Sequence, residues 1–216
     1  MLSVPIYNEN GQQVGTESID PALLGGAPNA SLLKQAVVMF HANLRQGTFG
    51  TLSRGMVEGS TRKIYKQKGT GRARMGSVRS VQRRGGGRAF RKDPRDFRKG
   101  MPRQMRRLAR NHAVLSKLQS GAAVIIETPR FDAPKTKRFF AMLSKLDAAR
   151  GCVFATNGID ATLYKSGRNV PKTDIVNVAD LNAFQVLMRR KLIFTKDAFA
   201  AFRSGLSASA KSKETA

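Results

Sequence analysis

The chain has 216 residues, 41% of them apolar, and a formal charge of +25 that puts its sequence pI near 11.4. That is enough apolar material for one domain with a buried core, and the charge points to a polyanion as standing partner, nucleic acid being the commonest. No run approaches the roughly 20 apolar residues of a membrane helix, and the lone Cys152 excludes an intramolecular disulfide and a cysteine-cluster zinc site.

The opening MLSVPIYNENG has neither the basic start nor the apolar core of a secretory signal, so a cytoplasmic protein with no membrane partner is expected, and Asn29-Ala30-Ser31 is read as a chance sequon. Within VPIYNENGQQVG, Asn10-Gly11 lies between two β-prone stretches and predicts a hairpin. From Ser31 to Arg45, Leu33, Val37, Phe40 and Leu44 recur at three- and four-residue steps, which predicts a helix with Ser31 as its N-cap and Gly47 as its stop.

Apolar periodicity then vanishes from Gly47 to Met101, and only isolated aromatics such as Tyr65, Phe90 and Phe97 interrupt glycine and cation. A structureless stretch of that length inside a domain is expected to be functional, or disordered until bound. Doubled back on itself, each arm of about 27 residues spans up to roughly 90 Å at ~3.3 Å per residue.

After Pro102 a helix is predicted again. Met105, Leu108, His112 and Leu115 share one stripe, while Arg103, Arg106, Arg107, Arg110 and Lys117 fall on the opposite side as an outward basic rail with no acid among them. Short apolar runs follow at Ala122–Ile126, Cys152–Ala155, Ile175–Val178 and Leu192–Phe194. They alternate with helices near Thr136–Leu146, Ala161–Lys165 and Leu181–Arg190. That alternation predicts an α/β fold, a mostly parallel sheet flanked by helices. The expected organisation is a single domain over residues 1–216, with a long extended basic loop at 47–101 inserted in it and a frayed tail at 207–216.

Charge is unevenly placed. Between Arg62 and Arg110 there are 19 Lys or Arg and two acids, Asp93 and Asp96, which accounts for +17 of the +25. The glycines there form no nucleotide loop: Gly69 and Gly71 are followed by Arg74 where a dinucleotide fingerprint needs its third glycine, and Gly76 is followed by Ser77 where a triphosphate loop needs lysine. No cofactor is expected. His112 on its apolar stripe reads as a packing residue, Cys152 as a small buried hydrophobe, and Asp93 and Asp96, among Lys92, Arg95 and Arg98, as locally ion-paired and too few for a metal.

Arginine offers forked donors to phosphate and a plane that stacks on bases, glycine lets the backbone lie close to a phosphate chain, and Tyr65, Phe90 and Phe97 add flat surfaces. The candidate nucleic-acid contacts are therefore Arg62, Lys63, Lys66, Arg74, Arg79, Arg83, Arg84, Gly85, Gly86, Gly87, Arg88 and Arg95, with Arg103, Arg106, Arg107 and Arg110 on the helix. No catalytic or metal-binding residue is assigned.

The stretches QKGTGRARMGSVRS (Gln67 to Ser80), RGGG (Arg84 to Gly87), DPRDF (Asp93 to Phe97) and MPRQMRRLARNHAVLS resemble the large-subunit ribosomal protein four family in its bacterial form, and the resemblance covers nearly the whole chain. It implies a non-enzymatic constituent of the large ribosomal subunit that binds large-subunit (23S-type) rRNA and aids early assembly. Gln67, Lys68, Gly69, Thr70, Gly71 and Arg72 would then form a loop tip lining the nascent-peptide exit tunnel beside the L-twenty-two protein. The implied partners are the rRNA, neighbouring ribosomal proteins and the nascent peptide. The chain departs from the family pattern at Lys63, Ile64 and Tyr65, where Pro-Trp is usual, at Met75, and at Arg91 and Lys92, where Gly-Pro is usual. Two rivals are a nucleic-acid enzyme, disfavoured by the lack of clustered acids, histidines or a cofactor loop, and a general DNA-binding protein.

Overall fold

The computed structural model describes residues 1–129 and 131–214, the side chains of 207–214 excepted. Strands β1 (Leu2–Tyr7) and β2 (Gln13–Ile19) pair antiparallel. The hairpin expected at Asn10-Gly11 is present, closed by Asn8, whose Oδ1 accepts from the N–H groups of Asn10 and Gln12 at 3.0 and 2.9 Å. Helix α1 (Ala30–Asn43) begins earlier than expected: Asn29, not Ser31, is its cap, its Oδ1 accepting from Leu32 N–H at 3.1 Å.

The remaining elements are α2 (Arg103–Gln119), β3 (Ala123–Ile126), α3 (Thr136–Lys145), β4 (Cys152–Thr156), α4 (Ala161–Gly167), β5 (Thr173–Asn177), α5 (Ala183–Met188), β6 (Lys191–Thr195) and α6 (Lys196–Glu214). The sheet runs β2-β1-β3-β6-β4-β5, and every pairing except β1 with β2 is parallel. The α/β class read from alternating runs is thus the observed one.

Side chains on the inner strands alternate between two cores, as pleating requires. Ile125, Val153, Ala155, Leu192 and Phe194 face α2, α5 and α6, whereas Val124, Ile126, Phe154 and Ile193 face α3 and α4. On the second side Phe154 meets Phe139 edge-on with ring centroids 5.5 Å apart, both rings wholly buried. The sequence reading places no element after Phe194, yet α6 follows at once, capped by Thr195 Oγ1, which accepts from Ala198 N–H at 3.3 Å. The backbone is helical through Glu214; of the tail expected at 207–216, Thr215 and Ala216 lie outside the described residues.

The chain divides into two compact units, Met1–Phe40 with Gly100–Ala216, which holds the sheet, and His41–Lys99, which carries most of the basic segment.

Candidate nucleic-acid interface

His41–Lys99 contains one buried residue, Gly87. Order there comes from hydrogen bonds between an outgoing and a returning arm, most of them backbone to backbone. Lys99 N–H donates to Asn43 Oδ1 at 2.8 Å, Arg95 N–H to Gly47 O at 3.1 Å, Thr51 N–H to Lys92 O at 2.9 Å, and Arg88 N–H to Leu52 O at 2.9 Å. Further on, Lys63 bridges Ser77 and Ile64 N–H donates to Gly76 O at 3.2 Å. All of these pairs fold about one turn near Thr70–Arg72; the arms match residue for residue from Ile64–Gly76 to Leu52–Arg88 and then slip, Thr51 pairing with Lys92.

At that turn Gln67, Lys68, Gly69, Thr70, Gly71 and Arg72 are all exposed. Gly69 and Gly71 adopt left-handed φ values of 81° and 64° with open space around them, which reverses the chain without a steric cost. Lys63 Nζ donates to Gln67 Oε1 and Tyr65 O–H to the Ala73 carbonyl, bracing the approach.

The glycine triplet serves a different end. A Cβ on Gly86 would lie 2.0 Å from Ser80 O, and one on Gly87 would lie 2.1 Å from Arg54 N, so these residues let the chain's own backbones touch. Gly85 is exposed beside them. Arg62, Lys63, Lys66, Arg74, Arg84, Arg88 and Arg95 are exposed and Arg79 and Arg83 half-buried, the Nε of Arg79 being enclosed without a partner.

Phe97 is covered by the guanidinium groups of Arg45, 3.6 Å from its centroid, and Arg95 at 4.5 Å, with Phe49 tilted against it at 6.0 Å. Arg45 was absent from the sequence-based contacts; an arginine upstream of an aromatic-poor loop gives no signal until Phe97 returns beside it. The same unit has two open hollows. One of about 700 Å³ is lined by Arg45, Phe49, Arg91, Lys92, Asp93 and Arg95, and one of about 510 Å³ includes Ser53, Arg54 and Arg88. Asp93 pairs with Arg91 at 2.9 Å, and Asp96 accepts from Arg98 N–H at 2.8 Å, so both acids are engaged locally.

On α2 the predicted rail is only partly outward. Arg103, Arg106 and Arg107 are exposed, but Arg110 is half-buried 5.4 Å over the Phe202 ring, and burial, then the nearby Arg107, lowers its pKa. Lys117 is not on the rail: its Nζ donates to the carbonyls of Arg189 and Arg190 at 2.7 and 3.1 Å, and burial lowers its pKa. The long lysine stem reaches past its own helix face to bind the carbonyls ending α5. Leu108, expected inward, is 38% exposed.

Catalytic chemistry finds little footing. Buried His112 accepts at Nδ1 from Asn29 N–H at 3.2 Å, which leaves Nε2 protonated, and desolvation lowers its pKa. Burial pushes the Cys152 thiol up to about 11, so it carries negligible thiolate at neutral pH. Among the described residues no group of three His, Cys, Asp or Glu side chains converges as a metal site.

Residues 18–205 match the model of the ribosomal protein L4/L1 family. The large ribosomal subunit protein uL4 of Heliobacterium modesticaldum is 40% identical over 200 residues, covering 93% of this chain and 97% of that protein, and the uL4 of Brevibacillus brevis matches to the same extent. The uL4 of Rhodopirellula baltica is 38% identical over 206 residues, covering 95% of this chain and 93% of that one. A match across both the sheet unit and the basic arms, at such identity, leaves one conclusion: the chain belongs to the ribosomal protein L4/L1 family.

Proposed function

We propose that this protein is a structural, non-catalytic constituent of the large ribosomal subunit in the cytoplasm, that it binds the large-subunit rRNA and aids early assembly, and that its tip lines the nascent-peptide exit tunnel. The observation that carries this reading is a pair of arms without a core, held in step by their backbones and ending in an exposed, cationic, glycine-bent turn at Gln67–Arg72. Such an arm cannot stabilise itself by apolar burial, and its cations repel one another; folded RNA supplies both the counter-charge and a surface to order against.

In this reading Arg62, Lys63, Lys66, Arg74, Arg79, Arg83, Arg84, Arg88 and Arg95 take phosphates and exposed bases, exposed Gly85 lets the backbone approach a phosphate, and Gly86 and Gly87 keep the arms narrow enough to pass between RNA helices. Arg103, Arg106, Arg107 and Arg110 add contacts from α2. The relatives' name places them in the large ribosomal subunit, and their similarity over nearly the full length supports the same assembly here. At the tip the partners would be the nascent peptide and the L-twenty-two protein.

Deleting Gln67 to Arg72 tests the tunnel role, because none of those residues packs in either core. Normal subunit yield with altered peptide-dependent stalling and macrolide sensitivity is expected. Unchanged stalling and sensitivity in deletion-bearing ribosomes would show that Lys68 and Arg72 only clamp phosphate.

A further inference from the structure

We infer that the hollow lined by Arg45, Phe49 and Arg91–Arg95 is a pocket for one unstacked guanine nucleotide of the RNA. The inference rests on the RNA-binding reading and adds to it the base that one part of the arms selects.

The hollow, about 700 Å³, lies wholly within His41–Lys99 and is large enough to enclose a nucleotide. Its walls are tied at both ends. Arg95 N–H donates to Gly47 O at 3.1 Å, and Thr51 and Lys92 bond twice, Thr51 N–H to Lys92 O at 2.9 Å and Lys92 N–H to Thr51 Oγ1 at 2.7 Å. At the first tie the arms approach so closely that a Cβ on Gly47 would lie 2.0 Å from Arg95 O.

Three kinds of group line the space. Phe49 contributes a ring that stays 40% exposed. Arg45 and Arg95 rest on the Phe97 ring, which fixes their planes, and neither makes an ion pair among the described residues. Asp93 is the one acid beside four cations, and Arg91 holds it, donating to Asp93 Oδ1 at 2.9 Å and to the sulfur of Met56. The Asp93 side chain nevertheless remains 60% exposed.

Phosphate alone would leave Phe49 in water and meet Asp93 as a like charge, and an acidic peptide fails on the same count. An unstacked nucleotide uses all three groups: its base stacks on Phe49, its phosphates take the guanidinium donors of Arg45 and Arg95, and its base edge meets Asp93. Guanine fits that carboxylate best. Its Watson–Crick edge carries two adjacent donors, N1–H and the N2 amino group, which both oxygens of one carboxylate can accept; adenine and cytosine offer one amino group there and uracil one N–H.

The test probes the complex of the full chain with large-subunit rRNA, using kethoxal, which modifies guanine at N1 and N2, and dimethyl sulfate, which reports adenine and cytosine. One unpaired guanine is expected to be protected, and to regain about 10-fold in reactivity in Asp93→Asn and in Phe49→Leu, the worth of one such contact. Asp93→Asn raises the charge of the chain, so its hydroxyl-radical footprint along the RNA backbone should persist and show that the variant is bound. A persisting footprint with no guanine released overturns the proposal, and so does release of an adenine or cytosine alone. Loss of the whole footprint in both variants overturns it too, since these residues would then serve only the structure of the arms. A parent chain that leaves no footprint removes the RNA reading itself, and this inference with it.

Discussion

The two units of this chain are built on opposite terms. The sheet unit sets whole phenylalanines out of water on both faces, among them Phe139, Phe154, Phe194 and Phe199, whereas His41–Lys99 buries only a glycine and leaves Phe90 96% exposed. The first holds its shape by apolar burial. The second has a pattern of hydrogen bonds between its arms with no apolar core behind it, and in the proposed reading its order depends on the RNA it binds. On that reading one chain joins a unit held by its own core to one that is ordered by a partner.

Salt should separate the two most widely. Affinity for a large-subunit rRNA fragment is expected to fall by about 10³-fold or more between 50 and 200 mM salt as counterion release weakens, while the urea midpoint of the sheet unit moves little. Filter binding and circular dichroism on the same samples check both, and equal affinity for random duplex DNA at every salt would remove the RNA-specific reading.

Core substitutions come next. Phe154→Ala should cost about 3–5 kcal/mol in urea unfolding through the cavity it leaves, whereas Phe97→Ala should cost under about 1 kcal/mol in the same transition and weaken RNA binding instead. Comparable losses would mean that His41–Lys99 has a core of its own.

Within the arms, Gly87→Ala should disrupt pairing, because the new methyl meets Arg54 N, and should lower RNA affinity about 10-fold. Gly69→Ala adds only the strain of a left-handed alanine, about 1 kcal/mol. Limited proteolysis should cut the Gly87 variant faster within the arms, and bound RNA should protect the parent chain there.

The smallest effect is in pH. The folded His112 pKa lies below its usual 6.5, so the unfolded chain takes up that proton more readily. Its contribution to stability is whole above about pH 6.5 and shrinks as pH falls toward the folded value. A melting point a few °C lower at pH 5.5 than at 7.5, with a smaller gap in His112→Gln, is the expected result.

Much of the sheet unit was legible because buried parallel strands read as short apolar runs, as at Ala123–Ile126 and Lys191–Thr195. Helix α6 carried a signal too: Thr195 stands where a cap is needed, and Phe199, Phe202 and Leu206 follow at helical steps, masked by the serine- and alanine-rich stretch beyond. Lys117 was misread because angular position on a helix says nothing of where a four-carbon stem ends. The cations and the turn at Gln67–Arg72 were legible as composition and motif. What was not legible is that Gly86 and Gly87 face Ser80 and Arg54, since contact between distant backbones leaves no periodic trace in either segment.

A slip in the arm pairing governs how the segment can vary in length. From Ile64–Gly76 out to Leu52–Arg88 the arms match residue for residue like the teeth of a zip fastener, and a residue lost from one side alone would displace every pair beyond it, the notch where Gly87 admits Ser53 and Arg54 included. Between Arg88 and Lys92 the returning arm already carries residues with no counterpart opposite, so a one-sided insertion or deletion is expected to be absorbed there.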